Sequence, residues 1–239
     1  MGRRTGPRLS PALIGGLVGA VALALAPIAR ADWMLFGGAE KVFDGEYAAM
    51  TALLPFSEQL GRGFVHRYGA SYIRYEYPEG DDTVQGETRA IAASLGYQVP
   101  VTDGWFGIYT GAAYRDTTFD PRQPDNRQEG RRVVPTVDID GGLLAANRWL
   151  FAGVASYTPG DRAYWTRARA LRRVSARIFV GPEIVAHGDR DYDARQTGLA
   201  AQFNRVIGPF DIVLKAGGKR IRNGDSGAYG GIEVLRHFQ

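Results

Sequence analysis

The sequence contains no cysteine among its 239 residues. This absence excludes disulfide bonds, cysteine-ligated metal sites and a lipid-modified N-terminal cysteine. Histidine is also scarce, and His66, His187 and His237 do not have the spacing of metal ligands. We therefore expect no metal and no cofactor, and a fold that is stable without covalent cross-links.

After residue 31 the sequence has no apolar run of the roughly 18 residues that a membrane-spanning helix needs. The segment 1–31 differs from the rest, since it has three arginines near its start, an apolar run over Leu13–Pro27 and Ala-Arg-Ala at 29–31. This order is typical of a cleaved secretory signal peptide. We predict a signal peptide at 1–31 and one exported domain at 32–239.

An excess of one charge sign is also missing from the exported domain. Residues 1–31 hold four of the 29 basic residues and none of the 25 acidic ones, so basic and acidic residues are equal in number after it. The basic pI of the whole chain therefore gives no reason to expect nucleic acid as a partner.

Glycine (32 residues) and tyrosine (12 residues) are abundant, and turn-forming clusters recur about every 10 to 16 residues, which is typical of an all-β barrel or sandwich. The pattern predicts twelve strands, at 33–43, 46–55, 64–77, 89–98, 105–115, 133–141, 149–157, two arms within 162–188, and 196–206, 210–220 and 229–238.

The predicted hairpin at 162–188 distinguishes a membrane barrel from a soluble fold. In its first arm Arg167 and Arg169 alternate with small residues, and in its second arm Glu183 and His187 alternate with apolar ones. Successive strand residues point to opposite faces. A membrane barrel directs the apolar face to lipid and the charges into its lumen, whereas a soluble sandwich does the reverse.

Connection lengths favour the membrane barrel. Connections after even-numbered strands are mostly tight and several after odd-numbered strands are longer, notably 78–86 and 118–130, although 43–45 and 56–62 break the pattern. One-sided loop length with an even strand count is typical of bacterial outer-membrane barrels. We predict an all-β, antiparallel up-and-down transmembrane barrel of about 12 strands, with outer-membrane lipid around it; a soluble periplasmic barrel is the alternative.

Several short motifs occur in order across most of the predicted domain. They are Arg74-Tyr75-Glu76-Tyr77, Gly96-Tyr97-Gln98, Tyr114-Arg-Asp-Thr, the 121–130 loop, Tyr164-Trp165 with Arg167, Gly181-Pro-Glu183, His187-Gly-Asp189, Tyr192 and Arg195. This set resembles the cellulose biosynthesis protein BcsS family of Gram-negative bacteria. The resemblance implies an outer-membrane accessory to cellulose production or export, and so to biofilm formation, with no established catalytic residues. It also implies cellulose or another β-glucan, and components of the cellulose synthase complex, as partners.

Seven residues are candidates for contact with glucan or for the lumen: Trp165, Arg167, Arg169, Glu183, His187, Asp189 and Tyr192. Aromatic rings stack on the apolar faces of sugars, and carboxylates accept hydrogen bonds from their hydroxyls. Two plainer interpretations stay open, namely a structural ion-pair network for the lumenal charges and an interfacial girdle for the aromatic residues.

A catalytic alternative rests on Glu183, His187 and Asp189, because a histidine oriented by a carboxylate can act as a general base in a barrel enzyme for lipid or polysaccharide. No serine lies at a spacing from these residues that would indicate a nucleophile. Glycine followed by aspartate, as at Gly188 and Asp189, is also common in turns. We therefore expect a non-enzymatic protein, with a plain structural or passive-pore barrel as a third possibility.

Overall fold

The computed structural model of the chain is a closed barrel of twelve antiparallel strands. It describes residues 32–57, 59–79, 82–123, 126–190, 192–222 and 224–238, so the predicted signal peptide lies outside the described residues. The strands are β1 (Trp33–Val42), β2 (Gly45–Pro55), β3 (Gly63–Glu79), β4 (Asp82–Val101), β5 (Gly104–Asp120), β6 (Gly130–Ala145), β7 (Trp149–Thr158), β8 (Ala163–Arg173), β9 (Ile178–Gly188), β10 (Asp193–Ile207), β11 (Phe210–Ile221) and β12 (Ser226–Phe238). No described helix is long and apolar enough to cross a membrane.

Every strand pairs with its neighbours in sequence, and β1 pairs with β12 to close the barrel, from Trp33 opposite Phe238 to Val42 opposite Tyr229. The predicted up-and-down barrel of twelve strands is confirmed. Closure leaves no free strand edge, so the backbone groups of all twelve strands can be satisfied inside a bilayer.

The strands end where the sequence supplies turn residues. Asp103 and Asn147 take left-handed backbone conformations in the turns after β4 and β6, with φ of 57° and 55°. Aspartate and asparagine tolerate this conformation better than most residues. Short turns of this kind mark the periplasmic end of bacterial barrels. We therefore call the end with Trp33 and Phe238 the periplasmic end, and the opposite end the outer end.

The predicted loop at 78–86 is wrong over most of its length, whereas the predicted loop at 118–130 is present but shorter, since β5 ends at Asp120 and β6 begins at Gly130. β3 and β4 remain paired as far as Glu79 and Asp82, and β5 continues to Asp120. The polar composition of these segments is typical of loops, but their inward side chains include the buried Val84 and Phe119. This packing inside the outer end stabilises the strands beyond the predicted turns.

Side chains alternate between lipid and lumen along each strand. In β6, Val133 is 71% exposed, whereas its neighbour Val134 and the carboxylates of Asp138 and Asp140 are buried in the interior. Apolar residues thus face outward and charges face inward, as predicted for a membrane barrel and opposite to a soluble sandwich.

Candidate functional site

Apolar side chains fill the periplasmic half of the lumen. On one side Leu171 and Phe179 pack with Ala200 and Val213, and on the other Leu53 packs with Val65, Tyr109 and Trp105. Leu53 is 0% exposed and Leu171 is 1% exposed, although both point inward. An inward side chain is inaccessible only where no water-sized space adjoins it, so this part of the lumen is packed.

The connection between β2 and β3 contributes to this packing. Leu60 packs against the cluster around Leu53, and the backbone N–H of Gly61 donates to the Oε1 of Gln98 at 2.7 Å. Gln98 in turn donates to the Tyr109 hydroxyl at 3.1 Å, and that hydroxyl donates to Asp140 at 2.7 Å. The long periplasmic connection therefore folds into the barrel and is held there by buried polar groups.

An ion-pair network crosses the middle of the lumen. We call it the Glu233 cluster, because the Glu233 carboxylate binds three cations. It accepts hydrogen bonds from Arg167 at 2.6 Å and from Arg169 at 2.7 Å, and Lys215 lies at 3.2 Å. Arg167 and Arg169 come from β8 and Glu233 comes from β12, so these contacts bridge the lumen.

Two further carboxylates complete the charge balance of the Glu233 cluster. Glu183 binds Arg169 and accepts a hydrogen bond from the Tyr229 hydroxyl at 3.3 Å, and Glu40 binds Lys215 at 2.6 Å. The cluster therefore pairs three cations with three anions, as burial requires. Glu183 is 1% exposed, which leaves its carboxylate no access to a ligand.

Three of the candidate aromatic and polar residues meet at the outer end, above the Glu233 cluster. Trp165 and His187 are direct cross-strand partners on the inward faces of β8 and β9. The His187 ring lies 5.6 Å from the Tyr192 ring, and the Arg167 guanidinium lies 5.5 Å from the Trp165 ring. We call Trp165, His187 and Tyr192 the mouth aromatics.

A charged pair from β11 and the β1–β2 turn adjoins the mouth aromatics. The Lys219 ammonium lies 5.6 Å from the Tyr192 ring, and it binds the Asp44 carboxylate at 2.7 Å. Burial raises the pKa of the Tyr192 phenol, and the carboxylate of Asp44 raises it further. The phenol therefore stays protonated and can donate a hydrogen bond.

Asp189 holds the loops of the mouth together. Its carboxylate accepts hydrogen bonds from the Gln128 side chain at 2.9 Å and from the Tyr192 backbone N–H at 3.1 Å. It thereby links the β5–β6 connection to the β9–β10 connection, and it positions Tyr192.

The seven sequence candidates thus fall into two groups. Arg167, Arg169 and Glu183 belong to the Glu233 cluster, whereas the mouth aromatics and Asp189 lie above it. Sequence reasoning missed Glu233, Glu40 and Asp44. Glu233 could have been found, because it lies between the apolar Ile232 and Val234 and so had to point into the lumen.

A closed barrel with an apolar exterior and paired charges inside defines an outer-membrane β-barrel protein. The sequence match identifies the family: the chain belongs to the cellulose biosynthesis protein BcsS family, which matches residues 26–238. No curated protein matches the sequence significantly.

A solved outer-membrane channel shares the fold, and a porin gives a weaker match. The COG4313 outer membrane channel from Pseudomonas putida F1 is 11% identical with a TM-score of 0.52, and the match covers 87% of this chain and 94% of that chain. The KdgM porin is 10% identical with a TM-score of 0.49, covering 86% of this chain and 99% of that chain. Family and fold together make this chain an outer-membrane barrel that takes part in cellulose biosynthesis.

Proposed function

We propose that this barrel is a non-enzymatic protein that retains cellulose at the cell surface, by binding the glucan at its outer mouth. The observation that carries the proposal is the filled lumen. Apolar packing occupies the periplasmic half and the Glu233 cluster crosses the middle, so the described interior offers a glucan chain no passage. Barrels of about eight strands are filled by side chains and porins of about 16 strands leave a channel, so at twelve strands the filling depends on the side chains present.

The chemistry of the mouth suits a neutral polysaccharide. Glucose rings have apolar faces and polar edges, and the mouth aromatics supply flat apolar surfaces beside a polar Lys219–Asp44 pair. Amphipathic rings with one wet edge are the side chains best able to contact such a ligand. We therefore assign the glucan contact to Trp165, His187 and Tyr192, with the Tyr192 phenol as a hydrogen-bond donor.

The contacts of the carboxylates favour binding over catalysis. Glu183 is engaged by Arg169 and Tyr229, and Asp189 by Gln128 and Tyr192. General-base catalysis by His187 would need a carboxylate that orients its ring, and protonation of a glycosidic oxygen would need a carboxyl group aimed at the ligand. Retention therefore accounts for the mouth better than hydrolysis does.

The test is calorimetric titration of the full-length protein, purified from outer membranes, with cello-oligosaccharides. Saturable binding is expected, and Trp165→Ala should weaken it about three- to tenfold, the contribution of one aromatic contact. Trp149→Ala is the matched control, because Trp149 faces lipid near the periplasmic end and should leave affinity unchanged.

Two results would contradict retention by the mouth. Flat heats with a folded barrel would indicate a scaffold that docks components of the cellulose synthase complex without touching glucan. Cleavage products in the titrated sample that disappear in His187→Ala would instead support the catalytic alternative.

A further inference from the structure

Two arginines face each other on the outer wall of the barrel, near its outer end. Arg195 of β10 and Arg220 of β11 are direct cross-strand partners, and both are exposed. Like charges placed directly opposite each other destabilise a strand pair. This arrangement is unfavourable unless an anion binds between the two guanidinium groups.

Nearby carboxylates do not neutralise this pair. Asp193 lies 3.9 Å from Arg195, and the backbone N–H of the exposed Arg222 donates to the carbonyl oxygen of Asp193 at 2.8 Å. In the described part of the chain, neither Arg220 nor Arg222 forms an ion pair. Asp193 is thus only a distant partner for Arg195, and its carboxylate also accepts a hydrogen bond from the Tyr164 hydroxyl at 3.0 Å.

Two other outward arginines near the outer end are paired closely. Arg89 lies 2.7 Å from Glu87, and Arg131 lies 3.1 Å from Asp116. Among the described residues, the facing arginines of β10 and β11 have no carboxylate as close as these. We call Arg195, Arg220 and Arg222 the arginine cluster.

An apolar groove begins at Arg195 of the arginine cluster and crosses the lipid-facing wall. Its volume is about 870 Å³, and Arg195 lines one end. Small residues such as Gly153, Ala168 and Ala186 form its floor, and the larger Phe151 and Ile184 border it. The floor residues are cross-strand neighbours on β7, β8 and β9, whose outward side chains lie within the membrane.

We propose that the arginine cluster and this groove bind one anionic lipid of the outer leaflet, with a phosphate on Arg195 and Arg220 and an acyl chain along the groove. Guanidinium groups bind phosphate with paired, charge-assisted hydrogen bonds. The apolar floor accepts a hydrocarbon chain without desolvating any charge. The charged head of such a lipid matches the arginine end of the site, and its apolar tail matches the groove. Lipid binding at this site is independent of the proposed glucan binding.

The test measures lipid bound to the full-length barrel purified in mild detergent. Native mass spectrometry is expected to show one retained anionic lipid per barrel, and titration of delipidated protein with lipid A should reach saturation. Arg195→Gln combined with Arg220→Gln should weaken lipid A binding about thirty-fold, because each interfacial arginine contributes roughly a factor of five.

Two further variants distinguish loss of the lipid site from a general loss of positive charge or of folding. Ala168→Phe fills the groove and should weaken binding while both arginines remain, and it adds volume only on the exposed lipid face. Arg89→Gln removes a paired rim arginine and should bind lipid A as the parent does. Heat-modified gel mobility identifies any variant that has not folded.

Three outcomes would overturn the proposal. These are equal affinity for lipid A and for neutral phosphatidylcholine, unchanged lipid A binding by the double arginine variant, and unchanged binding by Ala168→Phe. Full competition by millimolar inorganic phosphate would likewise show that the groove contributes nothing and that an acyl chain is not part of the ligand.

Discussion

Replacing Glu233 by glutamine tests whether the ion pairs hold the lumen closed. The substitution keeps the shape of the side chain but removes the negative charge that Arg167, Arg169 and Lys215 share. Glu183 and Glu40 remain, so three cations would be left with two anions. Removing one partner of a buried ion pair typically costs about 3 to 5 kcal/mol, because the charge left behind is buried without compensation.

We expect the free energy of unfolding of the Glu233→Gln barrel to fall by about 3 to 5 kcal/mol. Urea denaturation of full-length protein refolded into lipid vesicles, followed by tryptophan fluorescence and gel mobility, measures this difference. Glu46→Gln is the control, because Glu46 lies 3.8 Å from the exposed Lys41, and such surface pairs contribute about 0 to 1 kcal/mol.

A second substitution sharpens the test. Arg167→Gln in the Glu233→Gln background restores charge balance and should recover part of the lost stability, since the two sites share one network. If Glu233→Gln costs no more than Glu46→Gln, the charges in the lumen are solvated, and the reasoning that the interior is filled is refuted.

Two other predictions follow from the packed interior. Tyr109→Phe removes the hydroxyl that bridges Gln98 and Asp140 and should lower the free energy of unfolding by about 1 to 3 kcal/mol in the same assay, whereas Tyr68→Phe, on the exposed face, should not. In planar bilayers the parent barrel should show no sustained conductance, because apolar side chains and the Gly61–Gln98 contact close its periplasmic half; steady open-channel currents would contradict this.

Much of the fold could be predicted from local patterns. Strand positions from β7 to β11 agree with the predicted ones within a few residues, because inward and outward residues alternate and turn residues mark the ends. The extended parts of β4 and β5 could not be found in this way. Their polar residues match a loop, and only the packing of Val84 and Phe119 inside the barrel explains why they are strands.

The sequence predicts the face of the strand on which the candidate residues lie, but not the residues that they contact. The alternation of Arg167 and Arg169 correctly placed them in the lumen, since parity alone sets the face of a strand residue. Which carboxylate they bind depends on strands that are distant in sequence. Glu233 lies 64 residues from Arg169, and no local pattern links the two.

Because the strands differ in length, the rim of the mouth is higher at β3–β6 than at β8 and β9. β6 continues beyond its last partner in β7, Val137 opposite Tyr157, up to Gly130, whereas β8 and β9 end near Tyr164 and Gly188. If the mouth binds a polymer as proposed, the wall of β3–β6 lies across its path on one side and no such wall lies on the side of β8 and β9. On the proposed function, the force needed to detach the polymer would then depend on the direction of shear, being larger toward β3–β6 than away from them.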